Sequence, residues 1–469
     1  MAVRSSMGLR IDGARATDEC VTHLRELIRI PSVNPPTLRD GAAGRDPAGG
    51  ESAAARYCAE VLSGAGIHAE VLETEAGRGS CFARLPATID TPEPPLILLS
   101  HLDVVPVDAE AWSRDPFGGE LVDGVVWGRG AVDMKDMVAM ELSVLLALRR
   151  SGSELRRDVI FAAVADEEAG GRAGAQHWVD ARPDLFASDA GPAAAALNEV
   201  GGYSIELNRH RYYTIQVAEK GIVWTRLRAT GTPGHGSMPH DDNAAEKLAH
   251  AVSRIASAQR PARVTPLVRD FLAALGLGEV AELAERTPNA AASALERLVD
   301  DPVLRRSFDA MLRDTVTPTV LQAGSKVNVI PGRATAELDV RTLPGTDPAE
   351  LLATLQHIAG DLATVDAVMS MPPVEASAQA EIVELMRVAL LAADPDATAL
   401  PMMITPGTDA KALARLGIPT YGFAPLRLGA DVPFLSLFHG HDERIPVSAL
   451  EFGLPVLFEV VHRFVSAPA

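Results

Sequence analysis

The sequence predicts an α/β fold: a mainly parallel sheet, with a smaller α+β domain inserted into the chain that builds it. Three observations support this. Short aliphatic runs at 96–99, 158–165 and 193–197 each lead into polar residues, namely His101 and Asp103, then Asp166-Glu167-Glu168, then Asn198-Glu199. Strands apolar throughout are buried on both faces, as in parallel sheets, and open sheets of this kind place ligands beyond their carboxyl ends. Between them and the C-terminal part, alternating strands and helices follow a β-α-β-β-α-β order, the split βαβ arrangement. The expected division is 1–213 and 374–469 for the larger domain and 214–373 for the inserted one.

A chain of 469 residues exceeds one ordinary core. With 47% apolar and 22% charged residues it has a globular composition. A net charge of −19 opposes nucleic-acid binding, which needs a basic face. No run is long enough to span a bilayer, and the N-terminal MAVRSSMGLRIDG lacks a signal-peptide core. Cys20, Cys58 and Cys81 have no metal-ligand spacing, so reduced thiols and a cytoplasmic location are expected.

In order, residues 17–30 have helical periodicity with Thr17 or Asp18 as a cap, and Pro31 to Pro36 stop that helix. A surface loop is expected at 40–50, a helix at 51–64, and strands near 67–73, 81–85 and 96–99. Residues 136–150 read as a helix whose terminal Arg149 and Arg150 suit its dipole. Residues 213–230 alternate as one long, half-exposed antiparallel strand. A Gly-rich turn, Gly231-Thr-Pro-Gly-His-Gly236, leads into a helix near 243–257, and 258–315 is mostly helical. Strands 317–329 and 333–342 flank Pro331-Gly332, a hairpin signal. Helix 348–360 and strand 365–370 complete the insert. Helix 378–393, the turn Pro406-Gly407-Thr408-Asp409, a strand at 420–423 and a terminal helix follow.

His, Asp and Glu without Cys, delivered from loops, suit Zn²⁺ or a similar ion in a catalytic site. Glu167 and Glu168 leave a strand together and diverge, so one can bind metal while the other faces substrate. Metal-assisted hydrolysis requires that division: an ion that lowers the pKa of water and a carboxylate that takes its proton. Asp103, two residues beyond His101, can orient the imidazole.

These residues also carry a resemblance. Ser100-His-Leu-Asp-Val-Val-Pro-Val107, Gly128-Arg-Gly-Ala-Val-Asp-Met-Lys135, Asp166-Glu-Glu168, Asn198-Glu199 and His439-Gly-His-Asp-Glu443 resemble the M20 family of metallopeptidases, in order and over nearly the whole chain. The segments 112–119 and 123–127 resemble most its carboxypeptidase S and N-acyl-amino-acid hydrolase branch. The resemblance implies a zinc-peptidase-like catalytic domain, an inserted lid or dimerisation domain, and two Zn²⁺ per subunit, for which Co²⁺ or Mn²⁺ can substitute. It implies that Asp133 bridges the ions, that His101 and Glu199 complete one ligand set, and that Glu168 and His439 complete the other. His441 competes with His439, but the spacing to Glu443 favours His439. Glu167 becomes the general base, and Asp103 holds His101. Asn198 stands where many relatives have Asp.

Within the insert, the resemblance makes His235 the group that enters a neighbouring subunit's active site and polarises the scissile carbonyl. A homodimer is therefore expected. Asn328 and Arg341 match substrate-holding residues, and Arg341 suits a carboxylate. Gly407 and Thr408 resemble a substrate-side loop. The bland readings are a capping turn histidine for His235 and an exposed cross-strand charge for Arg341. Ser237 lacks the glycines of a nucleophile elbow. Gly170-Gly-Arg-Ala-Gly174 is separated from its strand by acidic residues that would repel a pyrophosphate. The expected activity is hydrolysis of an amide next to a free carboxylate. N-acyl amino acids lead and short peptides are the alternative; a non-catalytic metal-binding relative is the rival from another class.

Overall fold

A computed structural model describes residues 13–34, 50–429 and 432–467. The loop expected at 40–50 lies outside the described residues except for Gly50, which opens helix Gly50–Gly64, and so does the N-terminal dodecapeptide. Contacts divide the chain into two compact units. One holds the chain up to Val217, Ala376–Met402 and the segment from Thr408 onward; the other holds Ala218–Glu375 and Met403–Gly407.

The first unit is organised on strand Glu93–His101. Neighbouring strands Arg157–Val164 and Ala195–Asn198 run parallel to it, and Thr420–Gly422 runs parallel to Ala195–Asn198. Antiparallel strands flank these four: His68–Glu73 and Gly79–Leu85 on one side, His210–Glu219 and Ser204–Leu207 on the other. On one face, Ile97, Leu99, Ile160 and Ala162 pack against Trp178, Val179, Phe186 and Leu413. Trp178 thus serves packing, its indole N–H donating to Ser80 Oγ at 3.0 Å. Helix Lys135–Ser151 is buried from Lys135 through Leu148 and packs against helices Gly13–Ile28 and Val447–Val465.

In the second unit an antiparallel sheet has the order Thr315–Ala323, Arg333–Thr342, Gly221–Thr230, Thr364–Met371. Helices Ala244–Ser257 and Pro348–Ala359 cover it with Leu248, Ile255, Leu351 and Leu355. This is the split βαβ order. Four further helices, Pro266–Ala274, Gly278–Arg286, Pro288–Leu298 and Pro302–Met311, extend it. Side-chain oxygens of Asn243, Thr265, Asp301 and Asp347 cap helix starts, and proline follows directly in the last three cases.

Several expectations change. The first helix starts at Gly13, so Thr17 and Asp18 lie inside it rather than capping it. The strand expected across 213–230 is two: His210–Glu219 in the larger sheet and Gly221–Thr230 in the smaller one. Alternation continues through both, so periodicity cannot register the change of sheet. A Cβ on Gly221 would lie 2.3 Å from Thr342 Oγ1, a contact only glycine allows. Strand 317–329 ends at Ala323, where Gly324 takes φ +67°, and Val329–Ile330 pairs instead with Gly234–His235. Strand Thr398–Ile404 has no counterpart among the expected elements, and it carries Pro401 within it.

Candidate metal and catalytic site

Each chemical residue is delivered by a local device. His101 closes strand Glu93–His101, and its Nδ1 faces the backbone oxygen of Asp103 at 2.9 Å. The Asp103 carboxylate is farther, at 3.6 Å. The backbone oxygen therefore fixes the ring, leaving Nε2 directed at Asp133 Oδ1 at 3.2 Å and Glu199 Oε2 at 3.7 Å.

The Asp103 carboxylate has another task. It accepts the N–H of Glu167 and of Glu168, each at 3.0 Å, and the Asn34 amide at 2.7 Å. It thereby aims the acidic pair. Asn34 also donates to Asp166, and its oxygen accepts from Arg78, which pairs with the buried Glu51. Asp166 holds φ +70°, turning the chain sharply out of strand Arg157–Val164. Sequence reasoning missed Asn34, Arg78 and Glu51: Asn34 looks like a residue before a proline stop, and Glu51 like the exposed start of a helix.

The second imidazole enters from 439–443. His439 adopts φ +58°, and its Nε2 lies 3.2 Å from Asp133 Oδ2 and 3.1 Å from Glu168 Oε2. Two groups able to hold an ion result: His101, Asp133 and Glu199, and Asp133, Glu168 and His439. Within each, the candidate ligand atoms lie within 4.8 Å of one another. Asp133 belongs to both, one oxygen facing each imidazole. His441 is in neither group.

The electrostatics suit cations. Burial, then Glu199, Asp409 and Glu168, push the Glu167 carboxyl well above the usual carboxylate range, with His101 opposing. Burial and the neighbouring Asp133 raise Glu168 to about 7. Among the described residues Glu168 Oε1 is buried with no hydrogen-bond partner, and the donors are imidazole nitrogen and carboxylate oxygen. Crowded acids, an orphaned carboxylate oxygen and N/O donors fit two divalent ions of the zinc, cobalt or manganese kind.

The other expected residues are placed as follows. Asn198 donates to Thr408 Oγ1 at 3.0 Å, and that oxygen also accepts the N–H of Ala410. Thr408 is thus buried, with its hydroxyl engaged by the protein. Gly407, Asn328, Arg341 and His235 belong to the second unit. There His235 is exposed, and its Nδ1 takes the backbone N–H of Ser237 at 3.2 Å. An Nδ1 that accepts there leaves Nε2 as the ring's N–H donor. His235 pairs with Val329, and Gly236 N–H donates to Asn328 O, so His235 and Asn328 lie side by side. Arg341 grips Asp339 on its own strand at 2.7 and 3.1 Å.

Fold and site together define a metal-dependent hydrolase of the α/β class. The chain belongs to the peptidase family M20/M25/M40, whose model matches residues 97–463. It is 27% identical to aminoacylase-1 of Sus scrofa over 97% of this chain and 98% of that one. It is 28% identical to the N-fatty-acyl-amino acid synthase/hydrolase PM20D1 of Bos taurus over 79% of this chain and 74% of that one. In fold it is similar to an M20 family metallo-carboxypeptidase, Sso-CP2, from Sulfolobus solfataricus. That match has a TM-score of 0.72 at 19% identity, covering 95% of this chain and 98% of the other.

Proposed function

We propose that the protein hydrolyses N-acyl amino acids, cleaving the amide beside the free carboxylate, with two zinc ions per subunit. The observation that carries this reading is the pair of ligand groups sharing Asp133, with Glu167 directly beside Glu168. His101, Asp133 and Glu199 hold one ion; Asp133, Glu168 and His439 hold the other. Ions held there supply Lewis acidity and lower the pKa of water toward neutrality.

This chain's own groups do the rest. Glu167 removes a proton from the attacking water and delivers it to the departing nitrogen as the C–N bond breaks. Its crowded surroundings favour holding that proton between the two steps. His235 of a second copy of the chain donates from Nε2 to the carbonyl oxygen as negative charge develops on it. Arg341 exchanges Asp339 for the substrate carboxylate, assisted by Asn328.

The near full-length match to an aminoacylase supports the N-acyl reading over a peptidase. So does the apolar surface beside His235 and Asn328, where Met238, Val327 and Val329 are exposed. Among the described residues no helix is long and apolar enough to cross a membrane, and Cys20, Cys58 and Cys81 are free. The proposed setting is the cytoplasm.

The test is a panel of N-acetyl and long-chain N-acyl amino acids, plain dipeptides, and the carboxyl-amidated twin of each. Turnover of N-acyl acids but not of their amides supports the reading. Preference for dipeptides moves the protein to the peptidase branch. No turnover with two ions bound leaves it a metal-binding relative.

A further inference from the structure

We propose that Glu443 is a positioning residue that sets Asp133 against His439 and so builds the second ion's ligand set. The inference rests on the metal-site reading above.

Glu443 is fully buried, and its carboxylate is saturated by one loop. Oε2 accepts from Arg129 Nη1 at 2.7 Å and from Gly130 N–H at 3.0 Å. Oε1 accepts from Val132 N–H at 2.7 Å and from Asp133 N–H at 3.1 Å. Its own backbone oxygen takes the N–H of Gly128 at 2.9 Å. Three backbone donors from the four residues 130–133, with a guanidinium, thus wrap one carboxylate, an arrangement that fixes loop shape as well as charge.

That loop ends in Asp133, and His439 lies four residues before Glu443. The same short segment is pinned on either side of Glu443. Asp442 Oδ1 accepts from Ser113 N–H and Oγ at 2.8 and 2.9 Å, and Arg444–Pro446 pairs with Val125–Trp127. Glu443 therefore joins the loop of Asp133 to the loop of His439. The 3.2 Å approach of His439 Nε2 to Asp133 Oδ2 depends on both loops being held. Of the first ion's set only Asp133, which both sets share, depends on Glu443; His101 and Glu199 come from or follow strands of the sheet. Glu168 hangs on Asp103.

A purely stabilising ion pair with Arg129 makes a different forecast. It would lower stability and weaken both ions together. Glu443→Gln keeps the shape but turns an amide N–H₂ toward at least one pair of N–H donors. The experiment is zinc titration of chelator-treated protein against a competing chromophoric chelator, with bound metal counted by elemental analysis and the thermal midpoint of the metal-free form recorded. Expected for E443Q is one ion bound within about threefold of the wild-type affinity and the other weakened about 10–100-fold, the range seen when a group that orients a ligand is lost. Arg129→Gln, which breaks the ion pair but leaves the backbone donors on Glu443, should retain both ions.

Two ions at unchanged affinity in E443Q, or both weakened alike, overturns the assignment. If E443Q does not fold, Glu443→Asp is read in the same way; it keeps the charge but cannot reach all four donors. Failure of both variants to fold assigns Glu443 to stability alone and also overturns the proposal. A wild-type protein binding fewer than two ions would instead refute the metal-site reading.

Discussion

Glu167 and Asp103 show how much a single side chain carries here. Glu167→Gln should lower kcat by about 10²–10⁴ while leaving bound metal unchanged, because it removes proton transfer and no ligand. Unaltered turnover in that variant would remove Glu167 from the mechanism. Asp103→Ala should do more damage than loss of an imidazole clamp, since two N–H groups of the acidic pair lose their acceptor; reduced metal content beside reduced kcat would show it. Asp133 and His439 were read only through the family resemblance, whereas His101, Glu167, Glu168 and Glu199 were legible in the sequence because strands run into them. Their supports were not: the partners of Asp103 lie 69, 64 and 65 positions away, and no local pattern records such a distance.

The cysteines make a residue-scale prediction about pH. Burial pushes the Cys20 and Cys81 thiols up to about 12, from an ordinary value near 9. Between those values the unfolded chain releases protons that the folded protein keeps, so stability falls as pH rises above about 9. Urea unfolding at pH 8 and pH 10.5 should show a smaller alkaline loss in Cys20→Ala than in wild type. Equal losses would mean that Cys20 ionises normally in the fold.

Elements were legible where one local rule governs them and obscure where a distant contact does. Asp301 caps helix Pro302–Met311 through the N–H groups of Val303 and Leu304, so Asp301→Ala should cost about 1 kcal/mol, read from chemical unfolding. The glycine cluster 170–174 has a steric explanation instead of a phosphate-binding one. Gly170 and Gly171 hold φ of +96° and +71°, and a Cβ on Gly174 would lie 1.6 Å from the carbonyl oxygen of Ala165. Gly174→Ala should therefore destabilise the fold by several kcal/mol, on the order of the largest single-site effects. A thermal midpoint within a degree of wild type would refute that. The split of 213–230 into two strands has the opposite lesson, since both halves alternate and only pairing partners distinguish them.

For the molecule as a whole, the proposal that His235 acts in a neighbouring subunit has a direct test. Glu167→Gln and His235→Ala proteins, each nearly inactive alone, should regain up to about a quarter of wild-type activity when unfolded and refolded together. In half of the random dimers, one of the two sites then combines an intact Glu167 with an intact His235 from the other copy. No recovery, in a mixture shown to contain mixed dimers, would place His235 in its own subunit's chemistry or outside the chemistry altogether.

The sequence by itself determined the α/β class, the inserted βαββαβ unit, and the His101 imidazole and the acids that follow strands of the larger sheet. Those features follow from periodicity and from the need of a buried strand to end where polar groups begin. Only the tertiary structure decided that the backbone oxygen of Asp103, rather than its carboxylate, orients His101. It also decided that Glu443 is buried under four donors. Each of these depends on hydrogen bonds a few ångströms long, several of them between residues hundreds of positions apart. Such contacts exist only once the chain has packed.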